Sequence, residues 1–142
     1  MIGGLKKING DPSKLVDYVF LEKDGSGRIR GELLGGTLLE VTREDIATAL
    51  SALRARRPDL ARPVIHHAWA SIPEGESLSP EQWLHVGTLL AGRLGWKAFV
   101  AVQHSSDTAH EHVHFLASVV GADGQVSREH LRDWRLVRGC HA

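Results

Sequence analysis

Between positions 104 and 115 the chain reads His104-Ser105-Ser106-Asp107-Thr108-Ala109-His110-Glu111-His112-Val113-His114-Phe115. In a strand, side chains alternate between faces, so His110, His112 and His114 share one side. Val113, Phe115, Ala117 and Val119 take the other, an apolar set fit for a core. His104 ends the preceding run and approaches the histidine face across a hairpin. A lone surface histidine needs no ion. Neutral imidazoles converging from two adjacent strands make a facial site for a divalent metal, with positions left open for substrate.

The same residues also spell His110-Glu111-x-x-His114. On a helix that pattern is the zinc-peptidase signature, with Glu111 as general base. Val113, Phe115, Val119 and Val120 favour a strand and alternate as one, and Gly121 leaves little room for a helix. The peptidase is therefore the alternative, together with a non-catalytic DNA-binding module built around a structural metal.

The elements that must position these groups are legible on both sides. Ile2–Ile8 reads as a strand, and Asn9-Gly10-Asp11-Pro12 as a turn that starts a helix, with Asp11 at the N-cap and Pro12 at N1. Leu15, Val16, Val19 and Phe20 then form an apolar face that sets Tyr18 to one side. A glycine-rich stretch, 23–36, holds one strand near 30–34. Thr42 caps a helix over 43–57, ended by Pro58, and 64–72 is rich in strand formers. Ser79-Pro80-Glu81-Gln82 is a capping box with proline at N1, and its helix closes at Gly95. Strands are expected at 97–104 and 110–120, joined by the polar 105–109. A last helix starts at Arg128, capped by Ser127, and still reads as helical near Val137, as if cut from a longer protein. Helices mixed with adjacent strand pairs imply an α+β sandwich.

The 142 residues fit one domain, 1–142. Hydrophobic residues at 42% and charged ones at 24% exclude disordered and collagen-like classes. No apolar run approaches a membrane span, and the first nine residues lack the apolar core of a signal peptide. A single cysteine, Cys140, excludes a disulfide framework and a cysteine-based zinc ribbon, and a reducing cytosol is the simplest compartment. Seventeen basic residues balance seventeen acidic ones, so any affinity for nucleic acid must come from a local patch.

With these motifs in order, the chain resembles the relaxase/mobilization nucleases, members of the HUH endonucleases, named for two histidines flanking a hydrophobic residue: here His112-Val113-His114. The resemblance runs through Leu15-Val16-Asp17-Tyr18, Leu34-Gly35-Gly36 and His66-His67-x-x-x-Ser71-x-Pro73. It continues through Leu78-Ser79-Pro80-Glu81-Gln82-Trp83, Arg93-Leu94-Gly95 and the stretch from Asp107 to His114. It implies a central antiparallel sheet of about five strands, the HUH strand in the middle and helices outside. The metal falls to His104, His112 and His114. One departure stands out: the family often places a histidine two before the acid, whereas His104 lies three before Asp107.

The resemblance also implies the reaction. Tyr18 attacks a phosphodiester at a plasmid or conjugative transfer origin, leaving a 5′-phosphotyrosine and a free 3′-OH. Mg²⁺ or Mn²⁺ is the implied ion; by ligand softness alone, three imidazoles prefer Zn²⁺ or another transition metal. The implied partners are single-stranded DNA and accessory relaxosome proteins, in a bacterial cytoplasm. Rolling-circle initiators and some transposases share the HUH site. Asp107 or Glu76 is a candidate to orient a metal-bound histidine through its second ring nitrogen; both also read as solvated loop carboxylates. Arg54, Arg56, Arg57 and Arg62 form a basic segment that suits phosphates, as do Arg128, Arg132, Arg135 and Arg138, although solvated helix faces look the same. Trp69, Trp83, Trp96 and Trp134 have faces on which bases stack, but buried tryptophans are commoner, and Trp83 belongs to the apolar face of its helix.

Overall fold

The computed structural model describes residues 2–21, 25–104 and 111–126. Asp107, His110 and the helix read from Arg128 onward, with its arginines, Trp134 and Cys140, lie outside them. Among the described residues the order is β1 (Ile2–Ile8), α1 (Ser13–Phe20), β2 (Glu32–Gly36), α2 (Arg43–Ala55), β3 (Ile65–Ser71), α3 (Pro80–Leu94), β4 (Ala98–His104) and β5 (His112–Ser118). The strands form one sheet in the order β1-β3-β5-β4-β2, and every pairing is antiparallel. This is the α+β architecture expected of the HUH fold, with the His-Val-His strand in the middle.

Register decides which side chains meet. His112 lies opposite His104 on β4 and Ser71 on β3, and His114 opposite Val102 and Trp69. His67, Trp69, His104, His112 and His114 therefore share one sheet face. The opposite face carries Phe99, Val113 and Phe115, on which α3 packs so closely that a Cβ at Gly87 would lie 2.5 Å from the Phe99 ring. The helices α1 and α2 pack together on the histidine side, α2 reaching β5. With a helix layer on both faces, Val113, Phe115, Leu116 and Ala117 are fully buried.

Local signals explain most boundaries. Around α3 the box is complete: Ser79 Oγ accepts from Gln82 N–H, the Gln82 side chain accepts from Ser79 N–H, and Gly95 closes the helix in the left-handed region. Thr42 caps α2 through Asp45 N–H. That helix stops at Ala55 rather than 57, because the N–H groups of Arg56 and Arg57 turn back three residues, to Leu53 and Arg54, ahead of Pro58. Asp11 accepts from Ser13 N–H just ahead of α1, but the N-cap is Pro12 rather than Asp11: the Pro12 carbonyl accepts from Val16 N–H, so the helix begins one residue later than expected. The strand expected at 30–34 starts at Glu32, since the N–H groups of Arg30 and Gly31 both go to the Phe20 carbonyl. Gly36 ends it at φ 143°, where a Cβ would overlap the Phe99 carbonyl oxygen.

Eight residues make a marginal helix alone, so α1 rests on its packing. Leu15, Val16, Val19 and Phe20 are buried, each contributing on the order of 1.5–3 kcal/mol. Arg43 at the start of α2 pairs with Asp17 and adds a lateral tie between the two helices. No helix of the described residues is long and apolar enough to cross a membrane.

Candidate functional site

His104, His112 and His114 come together as the hairpin geometry requires: one ring nitrogen from each lies within 4.8 Å of the others. His104 is 2% exposed and His114 8%, at the floor of a cleft of about 900 Å³. His104 Nε2 donates to the Val19 carbonyl, which leaves the Nδ1 lone pair pointing at His112 Nε2, 3.2 Å away. Two nitrogens facing at that distance need a proton or a cation between them. Ligands ~2.1 Å from one ion would be ~3.0 Å apart at a right angle and ~3.4 Å at the tetrahedral angle. The His104–His112 pair sits at that spacing, and His114 lies within 4.8 Å of both, close enough for three imidazoles to converge on one divalent ion.

A fourth histidine completes the arrangement. His67 Nε2 lies 2.7 Å from His114 Nδ1, ring stacked on ring, so His114 keeps Nε2 for an ion. Burial, then the charge of Lys6 and His104, pushes the His67 imidazole down to about 4. Burial, then the neighbouring histidines and Arg30, pushes His114 down to about 2. Both stay neutral at physiological pH, the form in which an imidazole can ligate.

Tyr18 stands on the same cleft, 49% exposed, its ring 6.2 Å edge-on from His67. What fixes it there is the C-terminal end of α1, where four carbonyls lack helical partners. Leu21 N–H takes Asp17 O, the Arg30 guanidinium takes Tyr18 O at 2.7 Å, His104 takes Val19 O, and the N–H groups of Arg30 and Gly31 take Phe20 O. Positive charge and N–H donors suit the negative end of the helix dipole. The helix that carries the tyrosine is thus tied directly to a metal-ligand candidate. Arg30 also lies 5.5 Å over the Tyr18 ring. Sequence reasoning missed Arg30, which sits in the glycine-rich stretch with no periodicity to mark it.

Lys6, Lys14 and Arg30 line the cleft, with Asp11 the carboxylate among them. The balanced chain total therefore conceals a cationic cleft. Arg54, Arg57 and Arg62 instead line a smaller depression of about 200 Å³ that shares Ile8 and Asn9 with the main cleft. Arg57 is engaged internally, gripping both oxygens of Asp59 and donating to the Gly124 carbonyl, and Arg56 is exposed. Glu76 is exposed in the turn after β3 and is not brought to the histidines. The group observed to engage the second nitrogen of His114 is an imidazole, not that carboxylate. Trp83 and Trp96 are buried.

The peptidase reading fails on the backbone. Residues 112–118 are a strand, and the Glu111 carboxylate accepts from Leu78 N–H and the Gln103 side chain, on the α3 side of the sheet and away from the histidine face. A family model described as "Relaxase: MobA/VirD2-like, nuclease domain" matches residues 20–141, starting just after Tyr18. No curated protein matches the chain.

Proposed function

Because the chain belongs to the MobA/VirD2-like relaxase nuclease family, we propose that it nicks one strand of DNA at a transfer origin, using Tyr18 as nucleophile and a divalent ion on His104, His112 and His114. One observation carries this reading: the sole tyrosine and the three histidines open onto the same cationic cleft. The partners are then the single-stranded origin and accessory relaxosome proteins, in the bacterial cytoplasm.

The ion, when bound, polarises the scissile phosphate and offsets charge building on its oxygens. The remaining work falls to the chain's own residues. Lys6 and Lys14 attract the strand and hold its phosphates. The Tyr18 oxygen attacks phosphorus, forming the O–P bond as the bond to the 3′ oxygen breaks. The phenol proton leaves to solvent or a neighbouring base, and the departing 3′ oxygen takes one up. One phosphodiester is exchanged for another, so the cut is reversible and religation needs no added energy source. Arg30 places positive charge beside the developing phenolate. The tie from His104 to Val19 fixes the distance between nucleophile and metal site.

His104→Ala, His112→Ala and His114→Ala, followed by calorimetric titration with Mn²⁺ and by nicking of a labelled single-stranded origin, test the assignment. Each should weaken metal binding and lower nicking by at least about a hundredfold, with the fold retained by circular dichroism. Wild-type metal affinity in all three variants would refute the ligand set.

A further inference from the structure

Among the described residues Trp69 is the tryptophan on the histidine face, and unlike Trp83 and Trp96 it is open, 38% exposed at the wall of the cleft. It lies down on the edge strand β1. A Cβ at its partner Gly4 would fall 2.4 Å from the indole six-membered ring, so the ring occupies the space a side chain would take. One face of the indole is thus laid on backbone. On its flank is His67, at 5.2 Å between ring centroids. Across the pairing on β5 is His114, and on β1, two residues from Gly4, is Lys6, directly opposite His67.

Resting on the relaxase reading above, we propose that Trp69 is a nucleobase-stacking platform: it receives an unpaired base of a nucleotide adjoining the phosphate held at the histidines, while Lys6 takes a neighbouring phosphate. Burial would be the ordinary fate of an indole on a sheet face covered by helices. Here the described helices leave it open, and the glycine beneath lets it lie flat rather than stand. An aromatic face one strand away from the metal-ligand candidates, with an ammonium alongside, matches the alternation of base and phosphate along a single strand. Stacking accepts every base, so the subsite demands an unpaired base rather than a particular one. A duplex, whose bases are already stacked, is excluded from it.

Intrinsic tryptophan fluorescence and filter binding test this on the full chain, with a mixed-sequence single-stranded 30-mer and a sugar–phosphate oligomer of equal length lacking bases as probes. For the wild type, the 30-mer should quench the emission and bind about tenfold tighter than the abasic oligomer. Trp69→Leu should abolish most of the quench and bring the two affinities together, and Trp69→Phe should keep most of the preference. Equal affinity of the wild type for both probes would overturn the platform, and that result needs no variant to fold. An undiminished quench in Trp69→Leu would overturn it too. Wild-type binding that survives either result leaves the relaxase reading standing; no binding of any single strand would sink both.

Discussion

His67 and His114 are joined nitrogen to nitrogen, 2.7 Å apart, on neighbouring strands in the middle of the sheet. A buried imidazole so engaged has one ring nitrogen spent, which fixes both the ring orientation and the atom left for a metal. On the proposed metal site, His67 would be a positioning residue. Its replacement by alanine should weaken Mn²⁺ or Zn²⁺ binding about tenfold to a hundredfold with secondary structure intact. His67→Asn, which keeps a hydrogen-bonding side chain, should recover part of that loss. Calorimetry on the two variants gives the comparison, and identical affinities for alanine, asparagine and wild type would remove the role.

Acid should act on the same pair in the metal-free protein. Both imidazoles fall below their ordinary 6.5, His67 to about 4 and His114 to about 2, with burial the first cause. The unfolded chain then binds more protons than the folded one below pH 6.5, so stability is complete above that value and declines as pH drops toward 4. Urea unfolding in EDTA from pH 7.5 to 4.5 should show a falling midpoint. The wild type should lose more than His67→Ala over that range.

Glu111 serves the fold, linking the N-terminal approach of α3 at Leu78 to Gln103 on β4. Glu111→Gln keeps the shape but weakens charge-assisted bonds, so a loss of about 1–2 kcal/mol in stability is expected. Nicking should stay within about tenfold of wild type, some 1.4 kcal/mol of barrier. Thermal melts and a nicking time course on one preparation separate this from a general-base role, in which activity would vanish at unchanged stability.

The parts of this molecule that could be read from its sequence are those encoded locally. Ser79, Gln82 and Gly95 bound α3 through contacts within one turn, and the alternation from His112 to Phe115 marks both faces of β5 without reference to any neighbour. Leu15, Val16, Val19 and Phe20 correctly turned Tyr18 outward. His67 escaped because Ile65–Ser71 is buried over most of its length on both faces, leaving no polar side to mark, and its partner depends on a register with β5 set 47 residues away. Arg30 escaped because its role is to close the end of a helix from a separate segment. The arginines at 54–62 look like a phosphate patch when read in line. Arg57 is in fact committed to Asp59 and Gly124, and the cations on the main cleft come from β1, α1 and the stretch before β2.

The most direct measurement is the fate of the cut strand with Tyr18→Phe. The substitution removes one oxygen from a half-exposed ring, so packing and the histidine cluster should be unaffected. Wild-type protein incubated with single-stranded origin oligonucleotides labelled at either end should remain covalently attached to the 5′ end of the downstream fragment on a denaturing gel. Tyr18→Phe should bind the same DNA and metal yet give neither adduct nor cleavage, since the chain has no second tyrosine. Cleavage by Tyr18→Phe at a rate near wild type would contradict the central claim and make water the nucleophile of an ordinary metallonuclease.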